Sequence, residues 1–430
     1  MMIALYRTAT TLGAPAIQYY LKKRMAEGKE DQSRFTERKG KSARSRPDGP
    51  LIWLHAASVG ESLSMLPLID SLLSADKRMH ILMTTGTVTS ATLMADRLPE
   101  RAFHQYVPVD RATYVRRFLD HWKPVLALWA ESEFWPNLIL ETQRRGVPMI
   151  LVNGRISPKS FDGWQRFPGV IGRLLRDFAL CLGQTDDDAD RLRQLGAPKH
   201  KCLGNLKFAV PPLPADTEEL IRLEQQMSGR PRWLAASTHA GEEEMVADVH
   251  RDVSVNQPGL LSILVPRHPT RGSEIADLLR DAGMTTAQRS KDEPVTPDTD
   301  IYIADTMGEL GLFFRLSNIA YMGKSLVPLG GQNPLEALRL ECAVVHGPHM
   351  ANFQKIMEDL AATESALLVT DSAALSQAVN NLLSDDAKRN ALIQNGVAYM
   401  DSQAEVVGLV TEEILSILKS GAGSPKDEAA

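Results

Sequence analysis

The apolar positions of this chain follow two periods, and the two alternate. Leu51–His55 is a short apolar-leaning run that passes straight into Ala56-Ala57-Ser58-Val59-Gly60-Glu61. A run of that length bounded by small residues reads as a buried strand. Leu63, Leu66, Ile69, Leu72 and Leu73 then recur at helical spacing, with Ser58 or Gly60 near the cap. Strand-like composition returns at His80–Thr85, Val125–Ala130, Met149–Asn153 and Ala179–Gln184. Helical segments such as Tyr114–Trp122 and Pro136–Arg145 lie between them. This alternation predicts a parallel sheet with helices on both faces. Pro211-Pro212-Leu213-Pro214 can continue neither element and predicts a linker. The alternation then restarts at Trp233–Ala236, Leu261–Val265, Ile301–Ala304, Ile319–Met322, Ala343–His346 and Ala366–Val369. After Asp385 one long helical pattern follows, with a break near Gly396, and Lys419–Ala430 is expected to be disordered.

The expectation is therefore an α/β chain with two similar Rossmann-like parallel-sheet domains facing a cleft. The expected divisions are a segment 1–46, a first domain 47–210, a linker 211–215, a second domain 216–418 and a tail 419–430. A length of 430 residues agrees, being too long for one ordinary core. Hydrophobic and charged fractions of 43% and 23% are those of a globular protein.

Net charge changes the picture at one place only. The chain as a whole carries −5, which argues against a general nucleic-acid binder. Lys22–Arg46, however, holds ten Lys/Arg against four Asp/Glu. Before it lie twenty mostly apolar residues, including Ile3, Leu5, Tyr6, Leu12, Ile17, Tyr19 and Tyr20. They are interrupted by Arg7, Gly13 and Pro15, which makes the stretch marginal as a spanning helix. No small-residue cleavage site follows, so a secretory signal is not indicated. An apolar segment followed by a basic one reads as an anchor at an anionic membrane surface, on the cytoplasmic side; the plainer reading is a first helix with a solvated basic tail. Cys181, Cys202 and Cys342 have neither disulfide-framework nor zinc spacing and suit a reducing compartment.

Candidate chemistry gathers where strands end. Glu61 falls in the first turn of a helix that follows a strand, where the helix dipole favours a carboxylate and α/β proteins bind ligands. It is a candidate general base, or simply a dipole acid. Glu131, in Trp129-Ala130-Glu131-Ser132-Glu133-Phe134-Trp135-Pro136-Asn137, stands at another strand end, and Lys207 lies just before the linker. In the second half, Pro266-Arg267-His268-Pro269 offers a guanidinium for a phosphate. Asp305-Thr306-Met307-Gly308-Glu309-Leu310 offers backbone N–H groups at a helix start. Gly330-Gly331-Gln332-Asn333-Pro334-Leu335-Glu336 combines a tight turn, a proline at a helix start and a carboxylate one turn in that suits the hydroxyls of a ribose. Asp186-Asp187-Asp188 and Asp298-Thr299-Asp300 look superficially like acidic metal motifs. The first reads better as helix-cap acids and the second as a polar loop. Neither Gly-x-Gly-x-x-Gly nor the full Gly-x-x-x-x-Gly-Lys-Ser/Thr phosphate loop occurs, which removes dinucleotide and P-loop readings.

In their order, these motifs resemble those of the 3-deoxy-D-manno-octulosonic acid (Kdo) transferases. The resemblance runs from Arg34-Phe35-Thr36-Glu37-Arg38 through Ser58-Val59-Gly60-Glu61, Glu131–Leu138, Gly204–Phe208, Ser237-Thr238-His239, Pro266–Pro269, Asp305–Leu310 and Asn333–Glu336 to Gly347-Pro348-His349. It implies a two-lobed GT-B glycosyltransferase. It implies CMP-Kdo as donor, a lipid A precursor as acceptor, no cofactor and no dissociable metal, and a place on the cytoplasmic face of the inner membrane. By the same likeness Glu61 is the general base, and Glu131 and Lys207 stabilise the transition state. Pro266, Arg267, Met307, Gly308, Glu309, Asn333, Pro334, Leu335 and Glu336 hold CMP. Two positions depart from the pattern: Lys324 stands where glycine is usual, and Gln332 where histidine is usual. A different GT-B-fold sugar-nucleotide enzyme, such as a non-hydrolysing epimerase, and a catalytically silent nucleotide-binding scaffold are the rival readings.

Overall fold

The structure, a computed structural model, describes residues 2–422. Its two compact units are residues 1–210 with 403–430, and residues 211–402. Each is built on an open seven-stranded sheet whose strands are all parallel. In the first unit the strands are β1 (Leu51–His55), β2 (His80–Thr85), β3 (Ala102–Tyr106), β4 (Leu126–Ala130), β5 (Met149–Gly154), β6 (Leu180–Gly183) and β7 (His200–Cys202). Their order is β3-β2-β1-β4-β5-β6-β7. The second unit has β8 (Arg232–Thr238), β9 (Leu261–Pro266), β10 (Thr286–Gln288), β11 (Ile301–Ile303), β12 (Ile319–Met322), β13 (Ala343–His346) and β14 (Ala366–Leu368). Their order is β10-β11-β9-β8-β12-β13-β14.

The continuous apolar runs follow from burial on both faces of each sheet. In the first unit Leu51, Trp53, Ala127, Trp129 and Leu151 enter one core layer. Their neighbours Ile52, Leu54, Leu128, Ala130, Ile150 and Val152 enter the other. Helices Ala112–Trp122 and Pro136–Arg144 close the first layer, and helix Val59–Ala75 closes the second.

Three strands are absent from the sequence reading: β3, β7 and β10. All are sheet edges, short and half polar, because an edge has less apolar surface to cover and avoids looking like a central strand. The domain boundary also moves. The second unit ends at Ser402, not 418. Helix Val406–Ala422 belongs to the first unit, where Val406, Val410 and Ile414 join the core layer under helix Val59–Ala75. The helical break expected near Gly396 is instead at 403–405, since Asp386–Ser402 runs unbroken through that glycine. Gly396 is needed for packing: a Cβ there would meet Leu338 Cδ2 at 2.7 Å. The expected tail begins as helix as far as Ala422, and 423–430 lie outside the described residues.

The N-terminal segment forms helices Met2–Leu12 and Ala14–Ala26. Among the described residues no helix is long and apolar enough to cross a membrane. The basic run after them is not a free tail. Arg34 makes a two-pronged pair with Glu37 (3.0 Å each) and donates to the carbonyl of His104 (2.8 Å). Arg24 (2.7 Å) and Arg38 (3.3 Å) share Glu30. Glu37 in turn accepts from Tyr106 N–H (2.8 Å), and Val109 N–H donates to the Arg38 carbonyl. The segment straps the open edge of β3 and satisfies groups that would otherwise invite another strand.

The revised boundary is testable. Replacing fully buried Ile414 by alanine should cost about 2–4 kcal/mol in urea denaturation, although it lies near the chain end. A surface-like effect under about 0.5 kcal/mol would contradict the placement.

Candidate active site

Both sheets place their chemistry where strand order reverses. In the first unit the chain runs outward from β1 through β2 and β3, then returns to the other side of β1 at β4. The loops after β1 and β4 therefore diverge, leaving an opening at their carboxyl ends. Glu61 follows β1 and Glu131 follows β4.

Ser58 caps helix Val59–Ala75, and Glu61 is its third residue, so Ser-x-x-Glu holds the positions of a capping box, with the Ala57 N–H in place of the cap residue's own. Glu61 N–H donates to Ser58 Oγ (3.3 Å). The Ser58 hydroxyl donates back to Oε1 (2.8 Å), and Ala57 N–H donates to Oε2 (2.8 Å). The helix dipole alone favours the anion, yet the Glu61 carboxyl lies above the usual range. Burial is the largest cause, and the charges of Glu131 and Glu133 add to it, outweighing the Ala57 and Ser58 hydrogen bonds.

Glu131 is held at φ +55, with its N–H donating to the Val152 carbonyl. Its Oε1 lies 2.6 Å from Lys207 Nζ and accepts from Gln184 Nε2 (3.3 Å). Lys207 is fixed by its own loop: Asn205 Oδ1 accepts the Lys207 N–H (3.0 Å). Asn153 Oδ1, at the end of β5, accepts the Leu206 N–H (2.9 Å). The three expected catalytic residues are thus brought together in one unit by the ends of β1, β4 and β5. His55, at the end of β1, is fully buried beside Trp129 and pushed down to about 4, so it is a neutral imidazole.

In the second unit the reversal lies between β8 and β12. Glu242, in the first turn after β8, is 1% exposed and saturated with donors. It accepts from His239 N–H (3.0 Å), the Tyr321 hydroxyl (2.7 Å), Lys324 N–H (2.7 Å), Ser325 N–H (3.2 Å) and Leu326 N–H (3.3 Å). Pro266 ends β9, and Arg267 N–H donates to the Thr238 carbonyl (3.0 Å). Asn333 Nδ2 donates to Glu336 (3.3 Å), its Oδ1 accepts from Leu335 N–H (3.2 Å), and Pro334 caps helix Leu335–Leu338. Burial raises the Glu336 carboxyl despite the charge of Arg267, which acts on it through space.

The segment Met307–Glu309 is placed differently from its neighbours. Met307 is exposed and Gly308 takes φ +85. The Glu309 carboxylate is clamped by Arg289 (2.6 and 2.5 Å) and by the Thr306 hydroxyl, and the guanidinium holds it below the usual range. The Glu309 carboxylate is thus engaged within its own unit. Asp305 is likewise committed, fastening Gln288 and Ser290. Thr185, not one of the three aspartates, caps helix Asp186–Gln194; Asp188, in its first turn, accepts from the Thr185 hydroxyl (2.9 Å) and from Ile156 N–H (2.8 Å).

A family model described as 3-deoxy-D-manno-octulosonic-acid transferase (kdotransferase) matches residues 33–210. A probable mitochondrial 3-deoxy-D-manno-octulosonic acid transferase of Arabidopsis thaliana is 36% identical over 89% of this chain and 88% of that one. The 3-deoxy-D-manno-octulosonic acid transferase of Rickettsia bellii is 34% identical over 97% of this chain and 99% of that one. That of Haemophilus influenzae is 35% identical over 79% and 81%. The chain belongs to the 3-deoxy-D-manno-octulosonic acid transferase family. It is therefore a glycosyltransferase. Solved structures of Anabaena HepE with UDP and glucose (TM-score 0.55, 15% identity, 86% of this chain and 100% of that one) share the fold alone. So does a UDP-N-acetylglucosamine 2-epimerase from Listeria monocytogenes (0.59, 13%, 86% and 97%).

For a Kdo transferase the sequence motifs located the strand ends but missed their supports, namely Gln184, Asn153, His55 and Glu242. Glu242 had a readable signal. It follows Ser237-Thr238-His239 at a first helical turn, as Glu61 follows Ala56-Ala57-Ser58.

Because the charge of Glu131 opposes ionisation of Glu61, Glu131→Gln should move the Glu61 carboxyl downward. It both removes a negative charge and frees that of Lys207. Carboxyl carbon titration by NMR reads this directly; an unchanged or raised value would contradict the coupling.

Proposed function

We propose that this glycosyltransferase moves Kdo from CMP-Kdo to a hydroxyl of a lipid A precursor, with inversion, using no resident metal or cofactor. The observation that carries the reading is the partly buried Glu61 carboxylate, raised above the ordinary carboxylate range beside the Lys207–Glu131 pair at a sheet's reversal point. A sugar hydroxyl is a weak nucleophile. A base whose pKa approaches the working pH takes its proton most effectively, a contribution of about 10²–10⁴-fold.

In the step, the acceptor oxygen bonds to the anomeric carbon and its proton passes to Glu61. The anomeric carbon–oxygen bond to CMP breaks, and its electron pair leaves on the phosphate. Positive character at the anomeric carbon is met by Glu131, and the Kdo carboxylate by Lys207. The departing CMP needs cations and N–H donors, which Arg267 and the loop Thr306–Gly308 would supply, with Glu336 toward the ribose. An epimerase shares the fold but has no use for a base facing an acceptor hydroxyl.

The acceptor's lipid chains imply work at a cytoplasmic membrane face. Arg24, Arg34 and Arg38 are engaged in the strap over β3, and a second basic and apolar surface lies nearby. Leu5, Leu12, Tyr19 and Tyr20 are exposed on the first two helices. A groove of about 820 Å³ against helix Met2–Leu12 is lined by Phe167 and by Arg144, Arg166 and Arg173. Apolar side chains beside clustered guanidinium groups suit an anionic bilayer surface.

The direct test is mass spectrometry of tetra-acylated lipid A precursor after incubation with the enzyme and CMP-Kdo; a mass increase by Kdo is expected. Glu61→Ala should lower kcat about 10²–10⁴-fold while CMP still binds, and near-normal transfer would refute the base. The wild-type kcat/KM should rise with pH through a limb above the ordinary carboxylate range of about 4.3, since the base acts deprotonated and its pKa is raised. Arg166→Glu with Arg173→Glu should weaken co-sedimentation with phosphatidylglycerol vesicles and leave transfer to detergent-dispersed acceptor unchanged.

A further inference from the structure

The loop after β12 carries a lysine in a backbone conformation that favours glycine. Lys324 has φ +64. Its surroundings hold it there from both sides. Its N–H donates to buried Glu242 (2.7 Å), and its carbonyl accepts from Gly331 N–H (2.9 Å). The preceding Gly323 cannot carry a Cβ, which would come within 2.6 Å of the Ser237 carbonyl oxygen, so the loop lies tight against the end of β8. Residue 324 therefore joins the β8 loop to the Gly330-Gly331 turn that leads into Asn333–Glu336.

The side chain is unspent. Among the described residues neither Lys324 nor Arg267 forms an ion pair, whereas Arg271 and Arg289 in the same unit are each bound by two carboxylates. Lys324 is also near His239, which packs edge-on to His268 at 5.8 Å. Burial pushes the His239 imidazole down, and the charge of Lys324 adds to that effect. Arg267, His239, His268 and Lys324 thus crowd the carboxyl ends of β8, β9 and β12. The carboxylate of Glu242, at the same strand end, has its oxygens taken by five donors. Arg267 and Lys324 are cations without an ion-pair partner among the described residues, at the ends of the two strands that flank β8 in one sheet, and such a pair suits an anion.

We propose that Lys324 is a phosphate-contacting residue of the donor site, its ammonium directed there by the strained loop that Glu242 anchors. The inference rests on the donor reading above and deepens it. Gln332, which cannot carry charge, leaves Lys324 and Arg267 as the cations for the leaving phosphate.

Calorimetric titration of CMP and of cytidine into wild-type enzyme, Lys324→Gly and Lys324→Arg tests it. Glycine adopts φ +64 without strain, so Lys324→Gly should melt at the same or a higher temperature and isolate the ammonium's contribution. The expected result is CMP binding weakened about tenfold in Lys324→Gly, largely kept in Lys324→Arg, and less salt-sensitive in the glycine variant. Cytidine, lacking phosphate, should bind all three alike. Equal CMP affinity in wild type and Lys324→Gly would overturn the role, as would parallel loss of cytidine, which would mark a collapsed loop. If the wild-type enzyme binds no CMP, the donor reading itself fails.

Discussion

The constraint on which both half-sites depend is the reversal of strand order in a parallel sheet. Once β1 has been flanked by β2 on one side, the chain must cross over to place β4 on the other. The two loops leaving β1 and β4 then part, and helix starts, N–H groups and short polar side chains converge on the gap. The second unit repeats the geometry with β8 and β12. Each unit puts a glutamate in the first turn of the helix after its first strand, and the two have opposite fates. Glu242 is sealed by five donors and serves the backbone. Glu61 has one hydroxyl and one N–H, with two like charges nearby. A saturated carboxylate is a fastener, and an under-supplied one can accept a proton.

That contrast also explains why Lys207 matters. Two carboxylates facing one opening repel, and without a cation one of them would be driven to its neutral form. The 2.6 Å pair with Lys207 gives Glu131 a cationic partner, whereas Glu61 is held by the Ala57 N–H and the Ser58 hydroxyl. The result is two carboxylates in different settings: Glu131 paired with a cation, and Glu61 raised by burial and by the like charges near it. The ion pair adds little to stability for so polar a site; its value is the order it imposes on two acids.

Much of this was legible in the sequence because central parallel strands are apolar on both faces. β1, β2, β12 and β13 have the bounds their composition implies, and the first-turn glutamate after β1 was visible from spacing alone. The edge strands β3, β7 and β10 were not, since their residues answer to solvent and to covering segments as much as to a core. A count of charge could not show which basic residues have partners. The basic residues of Lys22–Arg46 include Arg24, Arg34 and Arg38, whose partners lie in the same segment or along β3. Nor could spacing reveal that Glu309 is clamped by Arg289, twenty residues earlier, or that helix Val406–Ala422 returns to the first unit.

Backbone strain marks the same places independently of charge. Glu131, Asn153, Ser237 and Lys324 all have positive φ without being glycine, and all stand at the carboxyl ends of β4, β5, β8 and β12. Two coincide with register shifts, between Leu151 and Gly154 in β5 and between Ala236 and Thr238 in β8. Each such residue costs about 1–3 kcal/mol and survives only where its surroundings over-determine it. Here they do, through Val152, Leu206, Gly323 and Glu242 respectively. A fold concerned only with stability would place glycine at these positions. Keeping a carboxylate at 131 and an ammonium at 324 instead puts a charged residue at a strand end of each unit, the place where parallel sheets bind ligands.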